Sequence, residues 1–116
     1  MLRHPEFFKV GVSASGNHEF RVDKAGWNEI WMGWPMTKEW QAQSNLTGVD
    51  RLQGKLLLSH GELDSNVHPS ATLRLVQKLI EANKDFDLLI MPKMGHVLDD
   101  HPYWVQKRWR YFLEHL

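Results

Sequence analysis

Lys55–Pro69 reads KLLLSHGELDSNVHP. Its first half is a short apolar run, Leu56–Ser59, bounded by turn residues. A run of that length between turn signals suits a strand buried on both faces. Its second half, from His60 on, crowds two His, two acids, an Asn and a Gly into ten residues. Polar chemistry gathered where a buried strand stops fits an open α/β sheet, in which ligands bind beyond the carboxyl ends of the strands.

Downstream, a helix is expected to open near Pro69, because proline's missing N–H would be unpaired at the first helical position anyway. Leu75, Val76, Leu79 and Ile80 supply a stripe that would pack on a sheet, and Asn83 is a plausible stop. Asp87–Met91, DLLIM, reads as a second short buried strand closed by Pro92. A final helix is expected from about Pro102, with Asp99 or Asp100 capping it and favouring its dipole. Its apolar face would be Trp104, Val105, Trp109, Phe112, Leu113 and Leu116.

Upstream, residues 6–14 (EFFKVGVSA) read as a turn or helix end passing into another buried strand. Residues 22–34 place Trp27, Ile30, Trp31 and Trp34 roughly on one helical face, and a short helix fits around Thr37–Gln43. Buried strands alternating with helices predict an α/β fold with a mostly parallel sheet and flanking helices.

The bulk composition narrows the function. At 116 residues, 42% hydrophobic and 24% charged, the chain suits one small domain. Basic and acidic residues both number 14, a balance that gives no support to a nucleic-acid or anionic-membrane partner. No run of 18 apolar residues is present, so no spanning helix is expected. With no Cys, thiol nucleophiles and Cys-zinc sites are excluded. Six Trp is a high count for this length, and some are expected to line a cavity or interface.

The loop after Ser59 and the loop Met94-Gly95-His96 should be neighbours, each following the carboxyl end of a strand. An Asp on one and a His on the next can form an acid–base pair, the Asp holding the imidazole in one tautomer and stabilising the imidazolium. On that reading Asp64 orients His96, and His96 is the general base. His after Gly is also common in plain loops, so these residues alone leave a structural role open.

The combined pattern, LLLSHGELDSNVHP, a helix, LLIMPKMGH and a closing amphipathic helix, strongly resembles the end of the prolyl oligopeptidase family of serine peptidases, most of all its dipeptidyl-peptidase branch. The resemblance implies the C-terminal portion of an α/β-hydrolase fold. The family pattern H-G-x-x-D-x-x-V matches His60, Gly61, Asp64 and Val67; it implies Asp64 as triad acid and His96 as triad base. Asn66 and Val67 match positions that touch the substrate backbone and line the pocket before the cleaved bond. WNEIWMGWP resembles the family's Tyr-x-Glu-x-Tyr-Met-Gly-x-Pro segment, which implies that Trp27 and Trp31 replace two pocket-walling Tyr. The substrate implied is a peptide cleaved after Pro or Ala near its N-terminus, and no cofactor or metal is implied.

The family's Gly-x-Ser-x-Gly nucleophile elbow would precede a helix and then the first strand, where this chain has only MLRHPEFF. Residues 1–116 are therefore expected to be a single partial domain that lacks the nucleophile, with Met1 internal to a longer parent, and to be inactive alone. GVSAS at Gly11–Ser15 is a near match to the elbow, and the order Ser13, Asp64, His96 obeys the hydrolase order. The following Gly16-Asn17-His18 reads as a turn where an elbow needs a helix, so Ser13 is better read as a strand-end serine. His60, Asp64 and His68, spaced by four, would align as metal ligands only on a helix, against which Gly61, Asn66 and Pro69 argue. Asp99, Asp100 and His101 read as helix capping, and the charges along 72–85 as a solvated face. Trp27 and Trp31 are as consistent with plain core as with a pocket wall; Trp104 and Trp109 read as core. An uncovered edge at Val10–Ala14 would invite pairing with a second copy, so a self-associating, non-catalytic α/β module is the rival of the peptidase reading, and a small self-contained hydrolase using Ser13 is a third.

Overall fold

The computed structural model describes residues 1–22 and 25–116. Three strands, β1 (Val10–Ala14), β2 (Lys55–Gly61) and β3 (Asp87–Met91), form one sheet in the order β1-β2-β3 with both pairings parallel. Among the described residues four α-helices accompany them, α1 (Ala25–Met32), α2 (Lys38–Gln43), α3 (Ser70–Glu81) and α4 (Pro102–His115), with three single-turn 3-10 helices between β1 and β2. The register sets Val12 beside Leu57 and Leu57 beside Asp87, so the central strand is β2. No helix among the described residues is long and apolar enough to cross a membrane. The expected start of the first aromatic helix covers Asp23 and Lys24, which lie outside the described residues.

Successive side chains of a strand point to opposite faces, and β2 uses this to build two cores. Leu58 packs on one face with Val49, Leu52, Leu75 and Leu79, the last two from α3. Leu57 packs on the other with Met91, Leu98, Trp104 and Tyr111, the last two from α4. Each fully buried Leu contributes about 1.5–3 kcal/mol relative to exposure.

α3 ends as Asn83 suggests. Asn83 takes φ +54, its N–H donates to Ile80 O, and the N–H of Lys84 reaches back to Leu79 O. That pairing is a Schellman motif, which satisfies two carbonyls the helix end would leave open.

Three expectations are corrected. Ile80 is exposed, and the buried line of α3 runs through Ala71, Thr72, Leu75 and Leu79. One sheet face admits a narrower stripe than the apolar residues of α3 could fill. For the same reason α4 buries Trp104 and Tyr111, seven apart on one face, and turns Trp109, Leu113 and Leu116 to solvent. Trp109 is therefore not core. Neither Asp99 nor Asp100 caps α4: the cap is His101, whose ring accepts from the Tyr103 N–H at 3.2 Å, while Asp99 pairs with Arg108 at 3.0 Å.

The segment between β1 and β2 is held by polar groups. The Glu19 carboxylate, 1% exposed, takes Arg21 Nε at 2.6 Å and Ser44 Oγ at 2.9 Å. The Arg21 guanidinium holds that carboxyl below its ordinary range against the opposing effect of burial. Asn28, buried in α1, donates to Phe20 O and accepts from Asn17. Trp40 of α2 is buried and donates to Gly33 O. With Asn28 as its inward residue, α1 turns Trp27, Ile30 and Trp31 outward, so the two Trp are not core.

Candidate active site

The site forms where β2 and β3 end. A Cβ on Gly61, the last residue of β2, would run into the carbonyl oxygens of Met94 and Gly95. Only glycine lets the two loops approach this closely. They are then stitched together: Glu62 N–H donates to Met91 O, Leu63 N–H to Met94 O, and Lys93 N–H to the Glu62 carboxylate at 3.0 Å. Lys93 adopts φ +60, which turns the second loop back towards the first.

Asp64, 3% exposed, is oriented from both ends of its carboxylate. Oδ1 accepts the backbone N–H groups of Asn66 and Val67, each at 2.9 Å. Oδ2 lies 2.8 Å from Nδ1 of His96, 32 residues on. Burial by itself would raise the Asp64 pKa, but the His96 hydrogen bond and the two backbone N–H groups outweigh it and hold the carboxyl below the ordinary aspartate value. An ionised carboxylate only accepts, so Nδ1 of His96 is the donor to Oδ2; in the neutral form of that ring Nε2 keeps its lone pair. His96 is about one-third exposed at its side chain, so the ring is accessible while its partner is not.

A second anchor for His96 comes from the end of β1. Ser15 Oγ donates to the His96 carbonyl at 2.6 Å, and Ser15 itself sits at φ +53 with its N–H on Ser59 O. No local pattern in the sequence marks a serine 81 residues away as a partner. His60 is the last-but-one residue of β2, and its ring is wholly buried, with Nδ1 at 2.8 Å from Thr72 Oγ1 and Nε2 at 2.7 Å from Val67 O.

Of the expected site residues, Asp64 and His96 meet, and Asn66 and Val67 sit on the turn that holds Asp64. Asn66 is exposed and Val67 buried. Trp27 and Trp31 stack edge to face at 6.0 Å between ring centroids, 59% and 70% exposed. Ser13 lies inside β1 opposite Leu58, and no helix follows Ala14 directly, so the strand-to-helix elbow is not formed there. His60, Asp64 and His68 do not share a helix; the His68 ring accepts from the Ser70 N–H at the start of α3.

The arrangement is a buried carboxylate holding an accessible imidazole at the carboxyl edge of a parallel sheet, suited to general acid–base work. The chain as a whole is similar to known proteins in sequence and fold. Dipeptidyl peptidase family member 1 of Caenorhabditis elegans is 32% identical over 110 residues, 93% of this chain and 13% of that protein. Human dipeptidyl peptidase 8 is 30% identical over 104 residues, 83% of this chain and 11% of that protein. The rat inactive dipeptidyl peptidase 10 is 29% identical over 98 residues, 82% of this chain and 12% of that protein. Among solved structures, Porphyromonas gingivalis dipeptidyl peptidase 4 superposes with a TM-score of 0.88 at 25% identity, over 99% of this chain and 17% of that one. A dipeptidyl aminopeptidase IV-like protein of Bacteroides ovatus gives 0.91 at 29% identity, over 100% of this chain and 17% of that one. The chain thus spans about an eighth of the length of the curated relatives it matches. The sequence model of the prolyl oligopeptidase family matches residues 1–116. With three parallel strands, flanking helices and this match over its whole length, the chain belongs to the prolyl oligopeptidase family.

Proposed function

We propose that residues 1–116 are the C-terminal segment of a serine peptidase catalytic domain and contribute its triad acid and base, Asp64 and His96. The observation that carries this is the Asp64–His96 contact of 2.8 Å on a carboxylate whose other oxygen is locked by two backbone N–H groups. The fractional match to every relative named above supports the view that the serine and its oxyanion donors come from elsewhere in a longer domain.

In that mechanism His96 Nε2 takes the proton of the serine hydroxyl as the serine oxygen bonds to the scissile carbonyl. The same proton then passes to the leaving amine as the peptide C–N bond breaks, and a water repeats the cycle on the acyl-enzyme. Asp64 fixes the Nδ1–H tautomer and stabilises the transient imidazolium. Asn66 hydrogen-bonds the substrate backbone, and Val67, Trp27 and Trp31 shape an apolar pocket for a flat proline ring. The outward pose of the two Trp supports this role, since neither ring is committed to the core.

A hybrid tests the proposal: residues 1–116 replace the matching segment of the Porphyromonas gingivalis enzyme, and hydrolysis of a fluorogenic Xaa-Pro substrate is followed. His96→Ala in the hybrid is expected to cut turnover by on the order of 10³-fold or more. Equal turnover with and without His96 refutes the assignment. In parallel, the 116-residue chain treated with a fluorophosphonate is expected to give no adduct; a stoichiometric adduct on Ser13 would instead establish the self-contained hydrolase.

A second reading, self-association without catalysis, is favoured by one observation. Among the described residues β1 has a strand partner on one side only. We infer that this edge can pair with a second copy; a mass by light scattering that stays monomeric over a hundredfold concentration range counts against it.

A further inference from the structure

The acid of the pair is held from a third direction. The His60 ring lies wholly buried between β2 and α3. Its Nε2 is 2.7 Å from the Val67 carbonyl, and a carbonyl only accepts, so Nε2 carries a proton. In a neutral imidazole Nδ1 is then the acceptor, and the Thr72 hydroxyl at 2.8 Å donates to it. The Nε2 edge also lies 3.1 Å from Asp64 Oδ2, the oxygen that meets His96. Thr72 is itself fully buried in the first turn of α3.

The consequence is directional. With the proton on Nε2, His60 presents a positive edge to the Val67 carbonyl and the Asp64 carboxylate. With the proton on Nδ1, a lone pair would face both of those oxygens, and the turn would be pushed off the ring. Val67 is thereby clamped twice, by its N–H on Asp64 Oδ1 and by its carbonyl on His60.

We propose that His60 and Thr72 act as a tautomer-locked brace: the Val67 carbonyl and the Asp64 carboxylate, which only accept, hold the proton on His60 Nε2, the α3 hydroxyl donates to the Nδ1 left as acceptor, and the ring so held positions Asp64 and the 64–67 turn for His96. Both are positioning residues, and their bearing on catalysis rests on the reading of Asp64 and His96 as acid and base. The geometry itself does not depend on that reading.

The test is proton–nitrogen correlation NMR on the 116-residue chain with labelled histidine. Two signals are read: the tautomer of the His60 ring, and the low-field Nδ1–H resonance of His96 against Asp64. The unaltered chain is expected to show His60 with its proton on Nε2; a proton on Nδ1 overturns the proposal without any variant. Thr72→Val, which keeps the shape and removes the donor, is expected to leave the proton on Nε2 but the buried Nδ1 unpaired, and so to lose or broaden the His96 signal. Thr72→Ser, which keeps the hydroxyl, is expected to restore that signal. A Thr72→Val chain that is folded by circular dichroism and keeps the His96 signal unchanged overturns the proposal. Neither signal needs turnover, so a failure of the peptidase assignment would leave them intact, and a failure of the brace would leave the hybrid's dependence on His96 intact.

Discussion

Removing the Asp64 carboxylate should be the most costly polar substitution in the loops. Asp64→Ala takes away the acceptor of the Val67 N–H, the Asn66 N–H and His96 Nδ1. Val67 is buried, and its orphaned donor carries most of the penalty, about 1–3 kcal/mol. The more accessible Asn66 and His96 groups can turn to water and add about 1–2 kcal/mol together. The sum, roughly 2–5 kcal/mol, is a large share of the ~5–15 kcal/mol that holds a domain folded. Asp64→Asn keeps one oxygen for the two N–H groups and should lose about half as much.

The same substitutions carry a pH signature. Folding holds the Asp64 pKa below its unfolded value. Its charge-dependent contribution is therefore fully present above about pH 4, the unfolded aspartate value, and is lost as pH falls through the lower folded value. The stability gap between the unaltered chain and Asp64→Asn should be widest at neutral pH and narrow in acid. Urea unfolding followed by tryptophan fluorescence, at pH 7 and again near pH 3, measures both effects from the shift in midpoint at constant slope. An Asp64→Ala chain within about 0.5 kcal/mol of the original at pH 7, the scatter of ordinary surface substitutions, would refute the reasoning. So would a gap that fails to narrow.

His18, 6% exposed, has its pKa pushed down to about 4, first by burial and then by the nearby His60. Protonation then favours the unfolded chain, so stability should fall by roughly 3 kcal/mol between pH 6.5 and pH 4 on this group's account, and His18→Gln should flatten that slope. Gly61→Ala drives a methyl into two backbone carbonyls and should cost about 1–3 kcal/mol, read as a lowered melting temperature. Leu57→Ala, in the middle of the second core, should cost about 2–5 kcal/mol by urea unfolding, whereas Leu113→Ser, at 81% exposure, should stay within about 0.5 kcal/mol.

Local chemistry in the sequence was enough to read β2, β3 and the start of α4. Short apolar runs between turn residues have few alternatives to a strand, and DLLIM is β3 to the residue, but its expected burial is not found: only Met91 is buried, and Leu88 is exposed on this outer strand of the sheet. The polar crowd after Ser59 marked the site because a strand end in a parallel sheet is where polar loops gather. Which apolar residues are buried was not legible. Val105 to Leu116 can present more than one hydrophobic arc, and only the width of a three-stranded sheet decides that Trp104 and Tyr111 face inward while Trp109 and Leu113 do not. Trp27 and Trp31 face outward because Asn28 has partners at Phe20 and Asn17, a contact no periodicity announces. The pairing of Asp64 with His96 could be expected from two loops at one sheet edge, since topology makes such loops neighbours. The grip of Ser15 on His96 and of Thr72 on His60 could not be, because single hydrogen bonds between distant residues exist only once the strands are in register and α3 is docked on them.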